Sequence, residues 1–396
     1  MKPWWQRHAD GILQQLPADR LLALDVFRGL TITAMILVNN PGSWAYIYGP
    51  LRHADWHGWT VTDLIFPFFI FIVGISMQLS LCKHQRSPGA QLQAGALRSL
   101  KLIGLGLLLA LSYYNLRDAN FDWVAQRLLA LRYPGVLQRI GLVYFCCLLL
   151  LLWLPWRGRL LAALALCGLY LLGMYGISYQ DDAGNSYRGL LEHGNSFAAW
   201  LDHQLLGPNH LYYRSATPFA FDPEGIWSTL PAISSCLAGV LTAQWLQQPG
   251  ALSGKIKAML LAGLAAVLLA ELWHGWLPIN KPLWTPSYVL LSTGYAWLVL
   301  AACLWLCDVK GYRRWTAPFV VFGANAILFF VSAGLAARLL SMIPVGDTVL
   351  QVWLYRHWFQ PLFGNYNGSL AFALCFLALA YLAMYGCYRK GWIWKV

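Results

Sequence analysis

Long apolar runs separated by short polar stretches dominate the chain. Residues 64–82, 141–156, 159–175, 227–246, 258–273, 286–307, 317–340 and 368–386 are each almost wholly apolar. A hydrocarbon core about 30 Å thick takes roughly 20 residues of helix, so each window predicts a membrane span. Two shorter or more polar windows, 22–38 and 100–114, bring the expectation to ten transmembrane helices. The fold class predicted is all-α, a polytopic integral membrane protein with a single transmembrane domain over 21–396, preceded by a segment of residues 1–20. One connection, residues 177–226, is longer than an idle link needs; it reads either as a lid over a site or as a passive ordered loop. Internal repeats and low-complexity tracts are not evident.

Composition agrees with this reading. Of 396 residues, 59% are hydrophobic and 11% charged, against about 25% charged in soluble domains. The first twenty residues carry charges throughout and lack an apolar signal core, so no cleaved leader is expected. With the amino terminus inside, ten spans put 17 Lys and Arg on the cytoplasmic side and nine outside, which by the positive-inside rule predicts both termini cytoplasmic. That distribution also accounts for the net charge of +12, so no nucleic-acid partner is expected. Most of the acids fall on the outer side, as suits a cationic ligand. Seven of nine cysteines lie within predicted helices and none shows metal-type spacing, so neither a disulfide framework nor a metal is expected.

Polar groups are costly in hydrocarbon and tend to mark function there. In the first span, Asp25 and Arg28 share a helical face, either as a structural ion pair or as an anion site. The same helix ends in Asn39 and Asn40, whose amides could cap it or donate to a ligand. Eleven residues separate Arg28 from Asn39, roughly 16 Å of helix, so a long ligand could touch both ends.

The stretch LRHADWHGWTVTDLIFPFFIFIVG, residues 51–74, carries His53, Trp56, His57 and Trp59 into a span, with Asp63 one turn inside. The tryptophans suit a membrane interface. Asp63 needs a partner, and an imidazole held by a carboxylate is a better base near neutral pH. Gln138 and Arg139 open another span, and Asp222 and Glu224 precede a further one, where a helix dipole alone could account for them. Asn280, Lys281 and Trp284 sit at an outer helix entrance, and Asn325 is buried in an apolar window. Aromatics, amides and carboxylates on one side of a membrane suit a sugar site.

Seven blocks in order, LDVFRGL with ILVNN, HADWHGWTVTDLIFPFFIFIVG, YPGVLQRIG, GPNHLYY, FDPEG, PINKPLW and FGANA, resemble the heparan-α-glucosaminide N-acetyltransferase family, and span nearly all of the chain after the first twenty residues. The resemblance implies acetyl transfer from cytoplasmic acetyl-CoA, as co-substrate, to the amine of a terminal glucosamine across the membrane. By the same resemblance His53 is the active-site histidine, Asn39 an asparagine beside it and Asp63 the aspartate of its block; on the residues' own chemistry Asp63 is read as the partner of His53, Arg28, Gln138, Arg139 and Asn325 are assigned to the donor, and Trp56, Asp222, Glu224, Asn280, Lys281 and Trp284 to the acceptor. The chain carries His57 where the lysosomal enzyme has asparagine. It also lacks that enzyme's extra amino-terminal helix and large lumenal extension, which points to a small amino sugar or cell-wall fragment as acceptor and to a bacterial inner membrane.

Two mechanisms stay open. His53 could take a proton from the amine while Asn39 donates to the oxyanion, a contribution of about 3 kcal/mol, or it could carry the acetyl group itself. A transporter of an amino sugar is the alternative function, although paired halves with broken helices are not found in the sequence. The partners expected are acetyl-CoA, an amino-sugar acceptor and the lipid bilayer, with a homodimer left open.

Overall fold

The computed structural model describes residues 3–14, 21–83 and 87–394; Lys2, Arg20, Arg86 and Lys395 of the charge count lie outside these. The described residues form α1 (Trp4–Leu13), α2 (Leu22–Asn39), α3 (Val61–Lys83), α4 (Pro88–Leu111), α5 (Val136–Trp153), α6 (Trp156–Gly176), α7 (Phe197–Leu206), α8 (Thr229–Gln247), α9 (Leu252–His274), α10 (Pro286–Leu304), α11 (Ala317–Ala324), α12 (Ala326–Met342), α13 (Leu350–Leu354), α14 (Gln360–Phe363) and α15 (Asn365–Arg389). Strands are confined to three two-stranded hairpins. The architecture is that of an all-α polytopic membrane protein.

Among the described residues, nine helices are long and apolar enough to cross a membrane: α2 to α6, α8, α9, α15, and α10 with the turn that continues it to Val309. The tenth expected span departs from the prediction. Window 317–340 is broken at Asn325, where the two pieces meet at 75°. Asn325 itself has φ −126° and ψ 39°, outside the helical region. Window 100–114 belongs to a longer helix that begins at Pro88, where the Ser87 side chain accepts from the Ala90 amide at 3.3 Å; the polar first half of α4 had hidden it. α1 was not expected. It buries Ala9 and Ile12 against the main core, and His8 Nε2 lies 2.8 Å from the Tyr381 hydroxyl of α15, so α1 and the end of α15 share one face of the bundle.

Glycines let the spans approach closely. A Cβ added at Gly74 of α3 would lie 2.0 Å from the Cys236 carbonyl oxygen of α8, and one at Gly239 would lie 2.0 Å from that of Phe71. Small residues at such crossings replace the hydrophobic force that lipid cannot supply. Gly29 of α2 does the same against Phe319, where a Cβ would meet the carbonyl oxygen at 1.9 Å.

The 177–226 connection folds. β1 (Ser178–Gln180) pairs antiparallel with β2 (Ser186–Arg188), and β3 (Leu191–Glu192) with β4 (Asn195–Ser196). Tyr179, Phe197, Phe219 and Phe221 form a small aromatic core with Tyr170 of α6 and Leu283. Trp56 of the opposing loop is stitched to it, its indole N–H donating to the Leu191 carbonyl at 2.8 Å.

Candidate active site

α3 begins where the chain turns out of the His53 loop. Asp63, in its first turn, accepts from the backbone amides of Ala54 and Thr60 on Oδ2, both at 3.0 Å. Its Oδ1 lies 2.6 Å from His53 Nδ1. An ionised carboxylate only accepts, so the His53 Nδ1–H donates to it. Asp63 is 1% exposed, while half of the His53 side chain is accessible. Pro67 has no N–H to return to the Asp63 carbonyl one turn back. The Tyr288 hydroxyl of α10 donates there instead, at 2.5 Å, which ties α10 to the helix turn that holds the histidine.

Lys281 completes the group, with Nζ 3.7 Å from Asp63 Oδ1 and within 3.3 Å of both His53 ring nitrogens. Burial pushes its amine down from the ordinary lysine value, with Asp63 opposing. The PINKPLW block builds the turn that presents it. Asn280 Oδ1 accepts from the Leu283 amide at 2.8 Å, the Asn280 amide donates to Thr285 Oγ1 at 3.1 Å, and Trp284 takes φ 53°, a region that L residues other than Asn and Asp seldom enter.

A cavity of about 350 Å³ opens on these residues, lined by Asn39, His53, Asp55, Trp56, Asp63, Arg132, Tyr212, Tyr213, Glu224 and Lys281, with Met35, Ile65, Phe66 and Phe330 at its apolar end. Of the acceptor and catalytic candidates, the fold thus gathers Asn39, His53, Asp63, Trp56, Glu224 and Lys281 at one place. Asp222, Asn280 and Trp284 do not line it. Trp284 is 1% exposed and donates its indole N–H to Ser235 Oγ at 3.1 Å. Asn280 Nδ2 donates to the Trp56 carbonyl at 3.1 Å and to His57 Nδ1 at 3.3 Å. Burial and nearby His274 lower the His57 pKa, so His57 serves as an acceptor for Asn280 and stands apart from the cavity.

Asp222 and Glu224 stand five and more residues ahead of α8, too far to cap it. They clamp Arg132, whose Nε and Nη2 meet both Asp222 oxygens at 2.7 and 2.6 Å, and Nη2 also meets Glu224 Oε2 at 2.5 Å. Hydrogen bonds and charges from both acids raise the Arg132 pKa against its burial. Asp202 of α7 pins this loop from behind, accepting from the Ile226 amide at 2.8 Å and the Asp222 amide at 3.3 Å. Burial pushes its carboxyl up to about 7. Gly225 packs on it, and a Cβ there would sit 1.9 Å from Asp202 Oδ2. Arg132, Tyr212 and Tyr213 were missed as site residues. The signal lay in the quoted blocks: GPNHLYY ends in the two tyrosines, and Arg132 directly precedes YPGVLQRIG.

The donor candidates separate. Arg28 donates to Ser76 Oγ at 2.7 Å and to Asp25 at 3.4 Å, and lines a second cavity of about 550 Å³ with Phe69, Ser76, Arg98, Leu137, Tyr144, Ile327 and Trp394. Arg139, 1% exposed, donates to the Gly225 carbonyl and to Ser228 Oγ beneath the Trp284 ring; it reaches neither cavity. Gln138 is buried between Gly106 and Gly135, and Asn325 is spent on the carboxy-terminal segment. The two cavities share α2, α3, α5 and α12. Phe66 lines one and Phe69 the other, as do Phe330 and Ile327, so they approach to within about one helical turn, or 5 Å. Among the described residues, no group of three or more His, Cys, Asp or Glu could hold a metal.

The described residues thus form a multi-span helical bundle with a histidine–carboxylate pair lining one cavity and Arg28 and Arg98 lining a second. The family described as heparan-alpha-glucosaminide N-acetyltransferase, catalytic, matches residues 20–270. Heparan-alpha-glucosaminide N-acetyltransferases of Mus musculus and Homo sapiens are each 30% identical to the chain, over 96% and 97% of its length and 61% of theirs. The chain belongs to this family. It spans about three fifths of the length of these curated relatives.

Proposed function

We propose that the protein is a transmembrane N-acetyltransferase, moving acetyl from cytoplasmic acetyl-CoA to the amine of glucosamine, or of a glucosamine-ended glycan, on the extracytoplasmic side of a bacterial inner membrane. The observation that carries this is the His53–Asp63 pair lining one cavity, with a second cavity lined by Arg28 and Arg98 along the same four helices. The donor's phosphates suit Arg28 and Arg98, and its pantetheine arm fits the path along α2 from Arg28 to Asn39.

His53 Nε2 takes the proton as the amine nitrogen bonds to the thioester carbonyl carbon. Asn39 donates to the oxyanion. The tetrahedral species then collapses, the C–S bond breaks, and the thiolate takes the proton from the imidazolium. Asp63 holds the ring in the productive tautomer, and Lys281 balances the carboxylate. Trp56, Tyr212 and Tyr213 offer apolar ring faces to the sugar, while Glu224 and Asp55 offer acceptors to its hydroxyls. A cavity of this size supports a single terminal sugar as the reacting unit.

The test is transfer of labelled acetyl from acetyl-CoA to glucosamine by the purified protein, beside His53→Ala. Wild-type transfer that is lost in the variant supports the assignment. A folded wild type that neither transfers acetyl nor binds acetyl-CoA refutes it and favours the transporter.

A further inference from the structure

After α15 the chain reverses at Gly391, whose φ is 69°, and the Trp392 amide donates back to the Cys387 carbonyl at 2.9 Å. Asn325, 2% exposed at the α11–α12 break, engages this segment with both ends of its amide. Nδ2 donates to the Trp392 carbonyl at 2.7 Å, and Oδ1 accepts from the Trp394 amide at 2.9 Å. The tie sets Ile393 and Trp394 as one wall of the 550 Å³ cavity, across from Arg28, Ser76, Arg98 and Tyr144. Arg98 lies over the Tyr144 ring at 4.8 Å. Both wall residues keep about 45% of their surface exposed, apolar area that no described residue covers.

Two guanidinium groups and two aromatic rings around one opening match a ligand with phosphates and a flat base. We infer that the carboxy-terminal segment 391–394, pinned by Asn325, is the wall that reads the nucleotide end of the donor: Trp394 stacks on the base while Arg28 and Arg98 take the phosphates. Asn325 is the positioning residue and touches no donor atom. The inference rests on the proposed function, in which a donor enters this cavity. It also explains why a buried amide stands in an apolar window, since without the segment both of its polar ends would be left unpaired.

The experiment compares wild type with Trp394→Ala and, separately, Asn325→Ala in the full-length protein. It reads kcat and KM for acetyl-CoA, and inhibition by adenosine 3′,5′-bisphosphate, which carries base and phosphates without a thioester. Loss of one base stack corresponds to roughly tenfold. Both variants are expected to raise KM and the inhibition constant by about that factor while kcat falls less than twofold, and Trp394→Phe restores both constants. Unchanged bisphosphate inhibition in a folded Trp394→Ala, or a fall in kcat equal to that in kcat/KM, overturns the inference. If Asn325→Ala does not fold, Trp394→Ala decides alone. A wild type that uses acetyl-CoA but ignores the bisphosphate overturns the wall and leaves the donor assignment standing; a wild type that does not bind acetyl-CoA removes both.

Discussion

Lys281 Nζ stands 3.1 Å from Nδ1 and 3.3 Å from Nε2 of His53. Near-equal reach to both ring nitrogens sets the ammonium over the face of the imidazole, because an approach in the ring plane to one lone pair would leave the other nitrogen far away. The charge partner of Lys281 is then Asp63. Two side chains, Asp63 of α3 and Lys281 of the turn before α10, thus hold the His53 ring.

Asp63→Asn keeps the size of that carboxylate but can no longer specify the tautomer. The equivalent change in a serine-protease triad costs about 10⁴ in kcat. A fall of at least about 100-fold in acetyl transfer is expected here, with the protein still folded; steady-state kinetics on purified variant will read it, and full activity would remove Asp63 from the mechanism.

Asn39 ends α2 at the cavity wall and is the donor to the oxyanion in the proposed mechanism. Asn39→Ala is expected to lower kcat by about 10²-fold, the usual cost of one such donor, while acetyl-CoA still binds. Unaltered kcat with a raised KM would instead make Asn39 a ground-state contact.

Arg132 neutralises Asp222 and Glu224 together. Removing one partner of a buried ion pair typically costs 3–5 kcal/mol, and Arg132→Ala strands two acids, one of them wholly buried. A loss of about 3 kcal/mol or more is expected, seen as a lower melting temperature in detergent. Arg132→Ala with Asp222→Asn and Glu224→Gln should recover part of it.

Asp202 makes the 197–226 fold sensitive to pH. Its folded pKa, about 7, lies above the ordinary 3.8. As pH rises between these values the unfolded chain releases the proton first, so stability is highest below about pH 4, declines through that window and levels above about pH 7. The difference in melting temperature between wild type and Asp202→Asn, followed from pH 4 to 7.5, should change in favour of the variant as pH rises. A pH-independent difference would refute the buried-carboxyl account.

Gly74 and Gly239 face each other's helix backbones. Gly74→Ala has nowhere to put its methyl except against the Cys236 carbonyl, so α3 and α8 must separate; a clear drop in melting temperature is expected, larger than for Gly104→Ala, where the space is open.

Apolar run length made the spans legible because membrane insertion is decided locally, residue by residue. The break at Asn325 was not legible: the backbone its side chain ties, at Trp392, lies sixty-seven residues away, and no local pattern contains that. The site divides the same way. The contact between His53 and Asp63 could be read because an ionisable group at a span's edge needs a nearby partner. Asn280 and Trp284 were read as ligand contacts, whereas the fold uses them to build the Lys281 turn. Arg132 escaped notice as an outer basic residue until Asp222 and Glu224 were brought to it across about ninety residues.

The donor path proposed between the two cavities along α2, α3, α5 and α12 has an energetic consequence. A protein that lets a carrier molecule reach across the bilayer from one side, instead of ferrying it through, needs no fuel and no alternation of inward and outward states. It must, however, never become a wire. On the proposed function, the apolar side chains of Met35, Ile65, Phe66, Phe330 and Ile327 that line the two cavities would serve as insulation, since a chain of waters there would leak protons each time the carrier left.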